Sequence, residues 1–192
     1  MPRIYCAGPL FNDSERAEMQ KIASVLEGDG FSTFLPHRDG LEFAKLRPAL
    51  ARLVASDQQA ENILNRAIFS LDVFQLLESC DAVVANLNGR VPDEGTVVEA
   101  TLAWHAGKPL VLYKADSRAM LNGSDNPMVS GLGQFVVCKQ FAALSGALHD
   151  EITRGSDHRV SGVVSTGAEI TNLRRGNLDD DALAVLLMQL LG

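Results

Sequence analysis

Basic side chains are the minority in this 192-residue chain: Lys and Arg number 17 against 24 Asp and Glu, for a formal charge of −7. A sequence-independent hold on nucleic acid requires clustered Lys and Arg that neutralise phosphates, so no nucleic-acid partner is expected and small molecules are. Cysteine is equally scarce. Cys6, Cys80 and Cys138 stand far apart with no CxxC pair, which excludes a zinc ribbon, suits a reducing compartment and leaves them as small apolar core residues. The start, MPRIYCAGPLF, lacks the charged segment and long apolar run of a signal peptide. No window approaches the roughly 18 apolar residues of a membrane span. A soluble cytoplasmic protein without membrane association is therefore expected. The GxGxxG, Walker A and GxSxG patterns are absent, and His37, His105, His149 and His158 show no metal-ligand spacing.

What the chain does have is a βαβ rhythm. The length suits one α/β domain spanning 1–192, able to bury a sizeable core without disulfides or metal. RIYCAG opens as a strand stopped by Gly8 and Pro9, and residues 12 to 27 repeat apolar positions at helical spacing before Gly28 and Gly30. FSTFLP reads as a second strand, 37 to 56 resists assignment, and 57 to 79 carries a long helical pattern. DAVVANL is a continuous apolar run of the kind found in buried parallel strands. A helix over 94–106, the strands KPLVLYK and QFVVC, and a helix over 141–152 follow. Residues 153–177, rich in Gly, Ser and Thr, read as a flexible excursion before an apolar helix over 179–191 with an acidic first turn. The expectation is a Rossmann-like or flavodoxin-like three-layer sandwich with a parallel sheet of roughly five strands. In such sheets ligands bind beyond the carboxyl ends of the strands, so AGPLFND, NGRVPDEG and DSRAMLNGSDNPM should share one rim.

Three carboxylates stand against the local pattern. Glu99, in the early turns of the 94–106 helix, shares a largely apolar face with Leu102, Ala103 and Ala106. It reads either as an ordinary first-turn acid that complements the helix dipole or as a reactive carboxylate kept ionised there, and spacing alone does not choose. Asp72 has Ile68 and Leu76 at i−4 and i+4, with Leu71 and Val73 beside it. An acid on such a stripe is paired across space, caps a neighbouring loop or is held for a ligand. Asp93, just before a helix, is well explained as an N-cap. Gly95 and Thr96 add room for backbone approach and free N–H donors at a helix start.

Taken in order, IYCAGPLFN, SLDVFQLLESCDAVVANLNG, DEGTVVEATLAWHAGKPLVLY and NPM resemble the nucleoside 2-deoxyribosyltransferase family over most of residues 3 to 138, with the D-x-G-x-x-x-E core at Asp93, Gly95 and Glu99. The resemblance implies that Glu99 is the nucleophile at the anomeric carbon, that Tyr5 orients it, and that Asp72 faces the nucleobase and shuttles its proton. Asp93 would bond the sugar hydroxyls or assist at the base. Gly8, Pro9, Leu10, Phe11, Asn88, Gly95 and Thr96 would surround the substrate. Asn126 and Met128 would complete the pocket, in this family often that of a neighbouring subunit. The implied partners are nucleosides, nucleobases and further copies of the chain, and no metal or organic cofactor is required. Capture of an oxocarbenium-like centre by a carboxylate then gives transfer to a second base with retention, or hydrolysis if water enters.

The nearest rival is a nucleoside 5′-monophosphate N-glycosidase of the same superfamily. Phe11 and Asp13 stand where a phosphate prefers donors and cations, which favours free nucleosides, while Arg16 and Arg118 speak for the rival. A phosphoribohydrolase with PGGxGTxxE shares only the GTxxE part of PDEGTVVE. A non-catalytic nucleotide sensor is expected to have lost an acid, and each acid of the motif is present.

Overall fold

The computed structural model describes residues 1–117, 125–155, 159–176 and 178–192; Arg118 and His158 lie outside them. Where length alone suggests one domain, the chain groups into two compact units, residues 1–155 and 156–192.

The first unit is built on four strands, β1 (Arg3–Ala7), β2 (Ser32–Phe34), β3 (Ala82–Asn86) and β4 (Leu110–Tyr113). Every pairing is parallel and the order is β2-β1-β3-β4, the flavodoxin-like arrangement. Its helices are α1 (Asp13–Gly28), α2 (Pro36–Asp39), α3 (Phe43–Ala51), α4 (Asp57–Phe74), α5 (Glu94–His105), α6 (Pro127–Ser130) and α7 (Leu144–Arg154). Side chains that alternate along β1 feed two separate cores, as the pleat requires. Ile4 and Cys6 join Met19, Ile22 and Leu26 of α1 and Leu144 and Leu148 of α7 on one face. Tyr5 and Ala7 point the other way, toward Ala100 and Ala103 of α5 and Leu76 after α4. The pleat thus fixes which face of the sheet receives the Tyr5 phenol. Register sets Tyr5 between Phe34 on β2 and Val83 on β3.

The loop after β1 is shaped by packing. A β-carbon at Gly8 would lie 2.1 Å from the Met19 sulfur and 3.2 Å from the Asn86 β-carbon, and Met19 is fully buried. Only a glycine lets this turn pass so close to α1. Asn12 then starts α1 with a reciprocal capping box: its side chain accepts from the Glu15 N–H at 3.0 Å, while Glu15 Oε2 accepts from the N–H groups of Asn12 and Phe11.

Several sequence expectations are corrected. QFVVC is not a fifth strand: Gln134 and Phe135 take positive φ of 54° and 63°, which turns the chain, and only Cys138 forms an isolated parallel bridge to Tyr113. Residues 37–56 contain α2 and α3, neither with a buried residue, and Pro48 lies inside α3, so no amphipathic stripe announced them. The long 57–79 pattern is α4 followed by a π-helical turn over Gln75–Ser79. In the second unit, helix α8 (Arg159–Arg175) occupies most of the stretch 153–177 read as a flexible excursion. Gly162, Gly167 and its β-branched residues are weak helix formers, but α8 packs against the next helix, α9 (Asp180–Leu191), which Asp179 caps. Among the described residues no helix is long and apolar enough to cross a membrane.

Candidate active site

Helix α5 begins at an acid that works as its cap. Asp93 Oδ2 accepts from the Thr96 N–H at 2.8 Å and from the Thr96 hydroxyl at 2.9 Å, satisfying donors that the first turn leaves free. Thr96 is fully buried, so its hydroxyl serves the cap. A β-carbon at Gly95 would stand 3.1 Å from Asp93 Oδ2, and with hydrogen there the cap carboxylate keeps its room. Oδ1 of Asp93 has no partner among the described residues.

Glu99 follows six residues on, nearly two turns inside α5. Tyr5, fully buried on β1, donates its hydroxyl to Glu99 Oε1 at 2.6 Å. The Tyr5 ring stacks on Phe34 with centroids 5.5 Å apart and planes 28° apart, which fixes the direction from which the bond arrives. Burial, then the charges of Glu99 and Asp72, drive the phenol far above its ordinary range, so it remains a donor at any physiological pH.

A cleft of about 390 Å³ opens between α4 and α5, with Asp72 on one wall and Gly95 and Glu99 on the other. Ile68, Phe69, Val98 and Leu102 make the rest of it mostly apolar, the usual composition of a small-molecule site. Burial is the chief cause that pushes the Glu99 carboxyl up, to about 7; the Tyr5 bond opposes this, and Asp72 and Asp93 add to it. Burial likewise raises Asp72 to about 6. Both carboxyls of this cleft therefore titrate close to neutrality. Glu99 holds its proton more tightly than Asp72, so between about 6 and about 7 a fraction of the protein carries ionised Glu99 with protonated Asp72, a nucleophile and an acid at the same pH.

Raising a carboxyl in the folded state weakens the fold at high pH. Unfolded, Glu99 releases its proton near its ordinary 4.5, while folded it holds the proton up to about 7. Stability contributed by this residue is therefore complete below the lower value and is lost as pH rises through the upper one. Glu99→Gln keeps an acceptor for Tyr5 and removes the charge. At pH 8 it is expected to stabilise the protein by on the order of 3 kcal/mol, with the gain disappearing near pH 4. Thermal unfolding at the two pH values measures this.

The other residues singled out in the sequence fall elsewhere. Pro9 is buried, Leu10 packs on the α1 core, and Phe11 is 79% exposed. Gly8 serves the packing described above. Asn88 donates to Glu18 Oε1 at 2.6 Å and accepts from the N–H groups of Ala115 and Asp116 at 2.8 and 2.9 Å, tying together the loops after β3 and β4. Asn126 caps α6 by accepting from the Met128 N–H at 2.9 Å, and Met128 is exposed. None of these residues lines the cleft between α4 and α5. Conversely, Asn65, Phe69 and Val98 line it and were not singled out from the sequence. The signal was there: Asn65 and Phe69 lie seven and three residues before Asp72, on the same helical stripe.

The Nucleoside 2-deoxyribosyltransferase family model matches residues 4–169. Among solved structures, the chain is similar to a 2-deoxyribosyltransferase from the psychrotolerant bacterium Bacillus psychrosaccharolyticus, at 18% identity and a TM-score of 0.54, covering 74% of this chain and 90% of that one. It is similar also to a conserved protein from Enterococcus faecalis V583, at 19% identity and a TM-score of 0.54, covering 78% of this chain and 98% of that one. No curated protein matches significantly. At these identities the structural likeness speaks for the fold. The family match spans most of the sequence and takes in the Asp93, Gly95 and Glu99 motif. The chain belongs to the nucleoside 2-deoxyribosyltransferase family.

Proposed function

We propose that the protein is a nucleoside 2-deoxyribosyltransferase that works through a covalent deoxyribosyl ester on Glu99. The observation that carries this reading is the 2.6 Å bond from the buried Tyr5 hydroxyl to Glu99 Oε1, in a cleft that also presents Asp72. Tyr5 holds one oxygen of the carboxylate and leaves Oε2 to attack. In the first half-reaction Oε2 bonds to C1′, the C1′–N bond breaks, its electron pair leaves with the base, and Asp72 gives that base a proton. In the second, the Asp72 carboxylate takes a proton from an incoming base whose nitrogen attacks C1′ and releases Glu99. Two displacements at C1′ retain configuration. Water in place of the second base gives hydrolysis. Asp93 Oδ1, without a partner among the described residues, takes a sugar hydroxyl. No metal or organic cofactor enters the scheme. The enzyme works as a homo-oligomer, in which the exposed Asn126 and Met128 complete a neighbouring subunit's pocket.

The loop after β1 supports free nucleosides over 5′-monophosphates. The N–H donors of Phe11 and Asn12 are taken by Glu15, and Arg16 bonds the Leu10 carbonyl at 2.8 Å and Asp13 at 3.3 Å. A phosphate there would meet the Asp13 and Glu15 carboxylates. Incubation with 2′-deoxyinosine and adenine, followed by chromatography, is expected to yield deoxyadenosine only when adenine is present, and the 5′-monophosphates are expected to react far more slowly. Free base released preferentially from a monophosphate would instead establish a nucleotide hydrolase.

A further inference from the structure

β4 runs into a buried cation. Lys114, the residue after Tyr113, is 1% exposed, and its ammonium donates to Asp125 Oδ1 at 2.6 Å. Neither residue lines the cleft between α4 and α5, and neither enters the chemistry at Glu99. Stripping water from two charges is costly, and apolar side chains of similar volume commonly stabilise a fold as well or better. What an ion pair adds is direction, because a charged donor and a charged acceptor hold two segments in one relative placement.

The segments joined here are the two ends of one loop, which leaves the sheet at Lys114 and returns eleven residues later at Asp125. The leaving end is held without the pair. The Lys114 N–H donates to the Cys138 carbonyl at 2.9 Å, and Asn88 Oδ1 accepts from Ala115 and Asp116. The returning end is what the ion pair fixes. Directly after it, Asn126 caps α6 and Met128 stands 81% exposed. Further on, Val129 and Leu132 pack into the core shared with α5, and a β-carbon at Gly133 would lie 2.8 Å from the Leu112 side chain. Asn126 and Met128 are therefore pinned on both sides, by charge before them and by packing after them, although both are exposed and neither lines the cleft of its own chain.

We propose that the Lys114–Asp125 ion pair is a positioning device for the neighbouring subunit: it sets Asn126 and Met128 in the orientation in which they close that subunit's cleft. This rests on the homo-oligomeric transferase reading above. Lys114 and Asp125 are positioning residues that touch no substrate. Breaking the pair leaves Tyr5, Asp72 and Glu99 of the same chain in place and impairs the site across the interface.

Two variants break the pair: Lys114→Met, and Lys114→Met combined with Asp125→Leu, which leaves no buried charge unpaired and serves if the single variant does not fold. With 2′-deoxyinosine as donor and adenine as acceptor, kcat/KM is expected to fall about 10- to 100-fold in either. Co-expression with Glu99→Gln, itself expected to be inactive, supplies the readout that a structural role would not move. In mixed assemblies the intact Asn126 and Met128 of a Glu99→Gln subunit meet the intact Glu99 of an ion-pair variant. Activity per subunit should then rise several-fold above the sum of the separately purified variants. Mixed assemblies that stay at that sum overturn the assignment, as do undiminished activity in the variants and a double variant that does not fold. A wild type that sediments as a monomer overturns it together with the oligomeric reading and leaves the Glu99 chemistry standing. If the wild type is oligomeric but transfers no deoxyribose, the transferase reading fails by itself, and calorimetric binding of free adenine decides. Binding weakened about tenfold or more in the double variant, at an unchanged unfolding temperature, upholds the positioning role. Equal binding by both proteins, or none by the wild type, overturns it.

Discussion

Glu99→Ala is expected to abolish base transfer and hydrolysis together, with kcat falling at least about 10³-fold for both. The joint loss is the informative part, because transfer and hydrolysis share the first half-reaction and differ only in what attacks the ester. The alanine variant also leaves the buried Tyr5 hydroxyl without the acceptor it has at 2.6 Å, and an unsatisfied buried donor costs about 1–3 kcal/mol. Glu99→Gln separates the two effects. It keeps an acceptor for Tyr5, gains stability at alkaline pH as worked out above, and should be as inactive as the alanine variant. An enzyme that becomes more stable when its nucleophile is neutralised holds that carboxylate against the preference of its own fold, as active sites commonly do.

The second large effect concerns Asp72. Protonation of a departing base by a placed acid contributes about 10² to 10⁴ in rate, and Asp72→Asn should lose a factor in that range on the first half-reaction. The loss should shrink as the leaving base becomes more acidic, since a base that departs readily as an anion has less need of a proton. The pH profile supplies an independent sign. The reaction requires Glu99 ionised and Asp72 protonated, that is, one proton on a pair whose carboxyls are raised to about 7 and about 6. For wild type, kcat/KM should therefore rise to a maximum between these values and fall on both sides. In Asp72→Asn the alkaline fall should vanish, because no proton remains to be lost from that position. Glu99 itself should then ionise somewhat below about 7, because the Asp72 charge that helps raise it is gone.

How far the sequence carries can be judged residue by residue. β1, β3 and α5 were legible because a buried parallel strand and an N-capped helix each leave a dense local signal: a run such as DAVVANL, or an Asp followed by Gly, Thr and an apolar face. Asp93 as a cap followed from its position alone, and the structure adds that Thr96 is buried beneath it. Tyr5 could not be tied to Glu99 by any local rule. The two lie 94 residues apart and meet because the β1 pleat points Tyr5 to the α5 face. Asn65 and Phe69 were legible in principle, on the same stripe as Asp72, but an amide and a phenylalanine at helical spacing are ordinary on any helix until a second wall faces them. The bent segment at Gln134 and Phe135 and the helix α8 were misread for opposite reasons. QFVVC has strand composition but left-handed backbone at its start. The 159–175 stretch has loop composition but a helical partner in α9.

The covalent role of Glu99 is the centre of this account, and mass spectrometry of the intact protein tests it most directly. Wild-type enzyme turning over 2′-deoxyinosine without an acceptor base, and quenched in acid, is predicted to carry one added deoxyribosyl group. Peptide mapping should place that group on Glu99, and adding adenine before the quench should remove it. Undiminished turnover with no adduct on Glu99, or an adduct that survives in Glu99→Gln, would contradict it.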